Sequence, residues 1–266
     1  MQAKVFLLVR FVLPLMLLAS LLPAQGPHIV AISHRGEHLR HPENTLPAYQ
    51  AAIDAGADFI ETDVRTTADG KLAIQHDATV NRCTNGQGAV RGMTLAQIRA
   101  LDAGVKTGEE FLGTRVPTFD EVLALARGKI GVYVDSKDIS AADLVAALDR
   151  HDMEDHVVVY GRYKLMQDIA ALRPNIRLMP EANTADHVKM LADTLHLKVI
   201  AFDARDFQDD IIAAARAAKA AIYVDRLGEA DNPKSWQDAI DRGASGIQTN
   251  LPSELVRYLR SKGYHR

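Results

Sequence analysis

From Ile29 onward, short runs rich in Val, Ile and Phe alternate with stretches in which apolar residues recur at three- and four-residue spacing. The first pattern suits strands buried on both faces, the second amphipathic helices. Strands are expected at Ile29–Ser33, Phe59–Val64, Leu72–His76, Ile130–Val134, Val157–Val159, Arg177–Met179, Val199–Phe202, Ala221–Val224 and Gly246–Thr249. Helices are expected at Thr45–Ala55, Thr94–Ala100, Phe119–Ala126, Ala141–Asp152, Leu165–Leu172, Ala185–Leu195, Asp209–Ala220, Ser235–Arg242 and Ser253–Lys262. Repeated β-then-α order implies a parallel sheet with helices outside it. In a chain of 266 residues the natural closed form is an α/β fold of the (β/α)8 TIM-barrel type.

Two features distort that repeat. Asp69-Gly70 joins the second and third strands directly, and Asp-Gly is the preferred two-residue hairpin turn, so no helix separates them. The strand-like runs also number nine, one more than a barrel needs, and the pattern does not say which is surplus. Asn81–Pro117 reads as a short insertion after the third strand, passing over one end of the barrel.

The N-terminus has a different character. Lys4 and Arg10 precede an apolar run from Phe11 to Leu22, and Leu22-Pro23-Ala24 ends it. That layout reads as a signal peptide, residues 1–24, with cleavage expected after Ala24, which would leave 25–266 as one barrel domain in the periplasm or secreted. The apolar run is shorter than the ~20 residues that span a bilayer, so no stable membrane insertion is expected after cleavage. The alternative is an uncleaved anchor. Cys83 is the only cysteine, so no intramolecular disulfide can form. A net charge of −3 argues against a nucleic-acid partner, though a local basic pocket for one phosphate remains compatible.

Candidate chemistry gathers at strand ends. The first strand ends in Ser33-His34-Arg35-Gly36, the second carries Glu61-Thr62-Asp63, the third ends in His76-Asp77 and the fourth in Asp135-Ser136-Lys137. The C-terminal ends of barrel strands are where active sites are built. Residues two apart on a strand face the same way, so Glu61 and Asp63 project together, as do Asp135 and Lys137. Converging carboxylates suit a hard divalent cation, Mg²⁺ or Ca²⁺; taken alone, they read equally well as solvated strand-end charges. His34 and His76 form a candidate acid–base pair, while Arg35 and Lys137 offer fixed positive charge for phosphate. Together these residues describe metal-assisted, acid–base cleavage of an anionic ester, without distinguishing a phosphodiester from other esters.

His34-Arg35-Gly36, Pro42-Glu43-Asn44-Thr45, Glu61-Thr62-Asp63-Val64, Thr67-Ala68-Asp69-Gly70 and His76-Asp77, read in order, resemble the signature of the glycerophosphodiester phosphodiesterase family. The likeness continues through Thr84–Gly88, Leu101–Gly104, Val116-Pro117-Thr118, Asp135-Ser136-Lys137 and Gly246–Asn250. It implies a barrel enzyme that hydrolyses small-molecule glycerophosphodiesters to glycerol 3-phosphate and an alcohol. By position, His34 and His76 would be general acid and base, Glu61 and Asp63 would hold the metal, and Arg35 and Lys137 would bind phosphate. The resemblance further implies that the glycerol 2-hydroxyl attacks phosphorus, giving a cyclic phosphate that water opens.

The chain departs from the family pattern in two places. Asp135 stands where the third metal carboxylate is usually Glu, and Tyr223 is taken to stand for a Trp, where it would line the glycerol pocket or be an ordinary strand aromatic. Glu43 is expected to orient His34 or Arg35, Asn44 to cap the following helix, and Glu181 to touch substrate. His38 and His41 are read as exposed loop residues. Two rival functions are a lysophospholipase D-type phosphodiesterase, which would show an apolar rim, and a non-catalytic barrel that only binds.

Overall fold

The computed structural model describes residues 27–266, so the expected Met1–Ala24 leader lies outside the described residues. The strands are β1 (Val30–Ser33), β2 (Phe59–Thr66), β3 (Leu72–Ile74), β4 (Gly131–Ser136), β5 (Val157–Tyr160), β6 (Arg177–Leu178), β7 (Val199–Phe202), β8 (Ala221–Asp225) and β9 (Gly246–Thr249). The helices are α1 (Leu46–Ala55), α2 (Leu95–Arg99), α3 (Phe119–Ala126), α4 (Ala141–His151), α5 (Tyr163–Leu172), α6 (Ala185–Leu195), α7 (Asp209–Ala217), α8 (Pro233–Asp241) and α9 (Pro252–Ser261). Boundaries that differ from the periodicity have local causes. Helix α8 starts at Pro233 because Asn232 Oδ1 accepts the Lys234 and Ser235 N–H groups and proline fits the first turn. Helix α7 stops early as Lys219 turns to a φ of +57°.

Eight strands run parallel in the order β6-β5-β4-β2-β1-β9-β8-β7. One parallel bridge between Glu181 and Ala201, with the Ala201 N–H donating to the Pro180 carbonyl at 2.9 Å, nearly closes the ring between β6 and β7. The surplus strand is β3, which pairs antiparallel with the far end of β2 and stands off the barrel path. Its connection to β2 corrects the expected two-residue turn. The Thr67 N–H donates to the Lys71 carbonyl at 2.9 Å and the Gly70 N–H to the Thr67 carbonyl at 3.0 Å. Three residues, Ala68–Gly70, therefore form the loop, with Gly70 in the left-handed region at φ +70°. The architecture is a distorted (β/α)8 barrel with an insertion after the third strand.

Apolar packing falls into three clusters. The largest lies between barrel and helices and includes Ile60, Val132, Leu144 and Trp236. A second plugs the barrel interior with Ile32, Phe59, Tyr133, Val158, Met179, Val199 and Tyr223. The third, with Val80, Val90, Ile98 and Val116 packed on Ala73 of β3, gives the insertion its own small core. On the inward faces, alternation carries each strand from plug to charge. Phe59 is followed two and four residues on by Glu61 and Asp63, Tyr133 by Asp135, and Tyr223 by Asp225. The barrel is thus apolar below and acidic at the C-terminal mouth.

Candidate active site

The β1–α1 connection is folded tightly against α1. Arg35 and Gly36 take φ values of +54° and +77°, and a Cβ at position 36 would lie 2.7 Å from the Ala48 backbone, so glycine is needed there. This turn aims the Arg35 N–H at Glu61 Oε2, 2.8 Å away. Glu61 and Asp63 are almost wholly buried, at 3% and 1% exposure. Register places Asp135 of β4 opposite Asp63 of β2, and single oxygens of Glu61, Asp63 and Asp135 lie within 4.8 Å of one another. Burial, then the neighbouring charges of Asp63 and Asp135, pushes the Glu61 carboxyl up. Burial likewise raises Asp135, against the opposing pull of Lys137.

Lys137 lies between two of these acids, with Nζ 3.0 Å from Asp63 Oδ1 and 2.5 Å from Asp135 Oδ2. Burial would lower the Lys137 ammonium, but the charges of Asp63 and Asp135 overcome it and raise it. The Lys137 ammonium is the charged neighbour of the buried Asp63 Oδ1. Three converging carboxylates, an all-oxygen donor set, fit a hard divalent cation. A second cluster able to hold a metal, His28, Asp58 and His265, sits before β1 and β2 and after α9, at the opposite end of the barrel.

The two histidines are held differently. His34 Nδ1 is 2.7 Å from Asn250 Oδ1, an acceptor, so Nδ1 carries the proton and Nε2 keeps its lone pair. Burial, then the charge of Arg35, pushes the His34 pKa down to about 4. His76 Nδ1 is 2.7 Å from Asp77 Oδ1, a carboxylate that can hold the Nδ1–H and steady positive charge on the ring. Asn250 is fixed in turn by Asp231, whose carboxylate accepts the Asn250 N–H and the Thr249 hydroxyl, each at 2.6 Å, and the Trp236 indole N–H at 3.0 Å.

The structure brings His34, Glu61, Asp63, His76, Asp135, Lys137 and Glu181 to the wall of one pocket at the barrel mouth. Arg35 is drawn back from it: its guanidinium pairs with Glu43 Oε1 at 3.2 Å and Asp63 Oδ2 at 3.6 Å. Glu43 thus orients Arg35, and it also takes two hydrogen bonds from Arg82. Tyr223 does not reach the pocket. It is buried in the barrel plug beside Phe59, one inward layer too deep, and Asp225 occupies the mouth position of β8.

Three other expectations are corrected. Asn44 does not cap α1, whose N-cap Thr45 makes no side-chain cap bond. Asn44 instead donates to Asp63 Oδ2 at 2.7 Å and accepts from the Tyr49 hydroxyl at 2.8 Å. His38 and His41 are half-buried rather than exposed: His38 Nδ1 lies 2.7 Å from the His34 carbonyl, and His41 Nδ1 lies 3.0 Å from Glu37 Oε2. Cys83 stays a thiol, since burial and then the charge of Glu43 push its pKa up to about 12. Sequence reasoning missed Arg82, Asn250, Asp231 and Asp225; the one available signal was that Asp225 follows Tyr223 by two residues on an inward face.

Comparison with known proteins places this barrel among known families. The model of the glycerophosphoryl diester phosphodiesterase family matches residues 34–254. A glycerophosphodiester phosphodiesterase from Caldanaerobacter subterraneus subsp. tengcongensis is 31% identical over 247 residues, 88% of this chain and 99% of that one. A crystal structure of a glycerophosphodiester phosphodiesterase from Agrobacterium tumefaciens superposes with a TM-score of 0.77 at 31% identity, covering 85% of this chain and 97% of that one. An Oleispira antarctica phosphodiesterase in complex with sn-glycerol-3-phosphate shares the fold, with a TM-score of 0.79 at 21% identity over 87% of this chain and 96% of that one. The residues gathered at the barrel mouth and the whole-domain matches together identify the chain as an enzyme of the glycerophosphoryl diester phosphodiesterase family.

Proposed function

We propose that the protein hydrolyses soluble glycerophosphodiesters to glycerol 3-phosphate and an alcohol, in the periplasm or outside the cell. The observation that carries this reading is the meeting of His34 and His76 with Lys137 and the three-carboxylate cluster in one pocket. Glu61, Asp63 and Asp135 would hold Mg²⁺ or Ca²⁺, whose chemistry there is to neutralise phosphoryl charge. Lys137 binds a phosphoryl oxygen, and Arg35 supports the site from behind Asp63.

The hydrogen bonds at Nδ1 support different roles for the two imidazoles. His34, with its Nδ1–H on Asn250, takes the proton of the glycerol 2-hydroxyl at Nε2 as that oxygen attacks phosphorus. His76, with Asp77 behind it, gives a proton to the departing alcohol oxygen. The P–O bond to the alcohol breaks and a cyclic phosphate remains. Water then opens the ring with the roles reversed: His76 takes its proton and His34 returns one to the 2-oxygen.

A lysolipid substrate is the second reading, and one observation favours it. Leu39, Val105 and Leu112 are 58%, 40% and 58% exposed on the β1–α1 loop and the insertion, which meet where His41 contacts Phe111. Among the described residues no helix is long and apolar enough to cross a membrane.

The test is to incubate the protein with glycerophosphocholine, glycerophosphoethanolamine and lysophosphatidylcholine, with and without EDTA. Release of glycerol 3-phosphate, abolished by EDTA and restored by Mg²⁺ or Ca²⁺, is expected. Silence with every divalent cation would leave only a binding role, and turnover of the lysolipid alone would favour the second reading.

A further inference from the structure

Titratable groups also converge at the end of the barrel opposite the mouth. His28 precedes β1, Asp58 precedes β2 and His265 follows α9, so three separate segments meet there. His28 Nε2 lies 3.0 Å from Asp58 Oδ1 and His265 Nε2 lies 3.1 Å from Asp58 Oδ2, with the ring centroids 5.0 Å apart. Backbone hydrogen bonds hold these groups in place. The Ile29 N–H donates to the Tyr264 carbonyl at 2.8 Å, the Ala31 N–H to Asp58 Oδ2 at 2.8 Å, and the Gly131 N–H to the Asp58 carbonyl at 2.9 Å. The His265 side chain is 6% exposed, whereas that of His28 is 46% exposed and leaves a way in from solvent.

The surroundings of His265 say what this cluster can hold. Its Nδ1 lies 2.9 Å from the Arg266 main-chain oxygen and its Nε2 faces Asp58, so both ring nitrogens meet acceptors. A neutral imidazole has one N–H; with that proton on Nδ1, the Nε2 lone pair points at a carboxylate. Either the ring is an imidazolium or a cation stands between Nε2 and Asp58. An imidazole whose far N–H is tied to a main-chain oxygen is the usual form of a metal-binding histidine. Spacing agrees with that. One donor atom from each of the three residues lies within 4.8 Å of the others. Donors bound to a tetrahedral Zn²⁺ at ~2.0–2.2 Å stand roughly 3.3–3.6 Å apart. The 3.0 and 3.1 Å separations fall only slightly short of this, so small side-chain rotations would open the site.

We propose that His28, Asp58 and His265 bind one Zn²⁺-class transition-metal ion as a structural clamp across the base of the barrel. Two imidazoles with one carboxylate suit such an ion, whereas the three carboxylates at the mouth suit Mg²⁺ or Ca²⁺, so donor chemistry separates the two sites. Barrel active sites are built at the opposite, C-terminal face, which leaves this end for stability. The clamp would tie His28 to His265, and a metal clip that closes so long a loop takes the most conformational freedom from the unfolded chain.

The experiment titrates Zn²⁺ into chelator-treated protein held in excess Mg²⁺, by calorimetry and by thermal unfolding. Wild type is expected to gain about 5–10 °C in Tm at ~100 times the Zn²⁺ Kd, the shift that mass action gives a domain of this size. His28→Ala and His265→Ala should each weaken this binding at least ~tenfold and remove most of the Tm gain, while Asp135→Asn keeps both. Asp58 is left in place because it also holds the Ala31 N–H. His28→Ala trims a half-exposed side chain and keeps the test open should His265→Ala fail to fold. Zn²⁺ that stabilises His28→Ala as much as wild type overturns the proposal. So does a wild-type Tm that Zn²⁺ leaves unchanged, the result expected if the cluster were only an imidazolium–carboxylate pair.

Discussion

Asp63 of β2 and Asp135 of β4 are direct register partners, and the Lys137 ammonium bridges their carboxylates. Aspartate is one methylene shorter than the glutamate of the family pattern. It still completes the cluster because strand pairing sets it beside Asp63, close enough for the three acids to share a point. Lys137 is the resident positive charge between carboxylates that would otherwise repel.

Asp135→Asn removes one anionic ligand while leaving the strand intact. Affinity for the divalent cation should fall roughly tenfold or more, since ligand charge sets affinity for hard cations. Isothermal titration of Mg²⁺ or Ca²⁺ into chelator-treated protein reads this directly. Unchanged affinity would take Asp135 out of the metal site.

His34→Ala and His76→Ala should each lower kcat by about 10²–10⁴, the range of a lost general acid or base. Circular dichroism must show the variants folded. Wild-type-like turnover in either folded variant would remove that histidine from the chemistry.

Much of this site was legible because it depends on short-range geometry. Strand period and strand ends placed His34, Glu61, Asp63, His76, Asp135 and Lys137 on one barrel face, and the inward alternation explains why. The groups that hold them were not legible. His34 meets Asn250 across 216 residues of chain, and Arg82 meets Glu43 across 39, contacts created by barrel closure and by the folding of the insertion. Asn44 shows the limit differently. Its sequence context suits a helix cap, and only the left-handed backbone at φ +58° and the approach of Asp63 turn it inward. Tyr223 and Asp225 share a face, so alternation alone could not say which reaches the mouth.

Asp231 links the indole of Trp236 to the backbone of Asn250 and so to the ring of His34. Asp231→Ala leaves the Thr249 hydroxyl, the Asn250 N–H and the Trp236 N–H without their acceptor. The expected loss of stability is roughly 2–4 kcal/mol, since an unsatisfied buried donor costs about 1–3 kcal/mol and relaxation recovers part of it. A loosened His34 should also lower kcat about tenfold with little change in KM. A stability loss with kcat intact would limit the network to holding the fold.

Glu43 ties Arg35 to Arg82 and should make the fold sensitive to acid. Burial alone would raise its carboxyl, but hydrogen bonds from Arg82 and the charges of Arg35 and Arg82 reverse this and hold it at about 2, against an ordinary 4.5. The folded state therefore binds this proton less readily than the unfolded chain does. The contribution is complete above about pH 5 and fades as pH falls through 4.5 towards 2. The shift sets a ceiling near ~3 kcal/mol, and screening at the half-exposed Arg82 should leave about 1–2 kcal/mol. Urea unfolding of wild type and Glu43→Gln across that range checks it, because other carboxyls titrate alike in both proteins. The gap should be widest near pH 7 and close towards pH 2; a gap that stayed constant with pH would mean that the charge on Glu43 does not stabilise the fold.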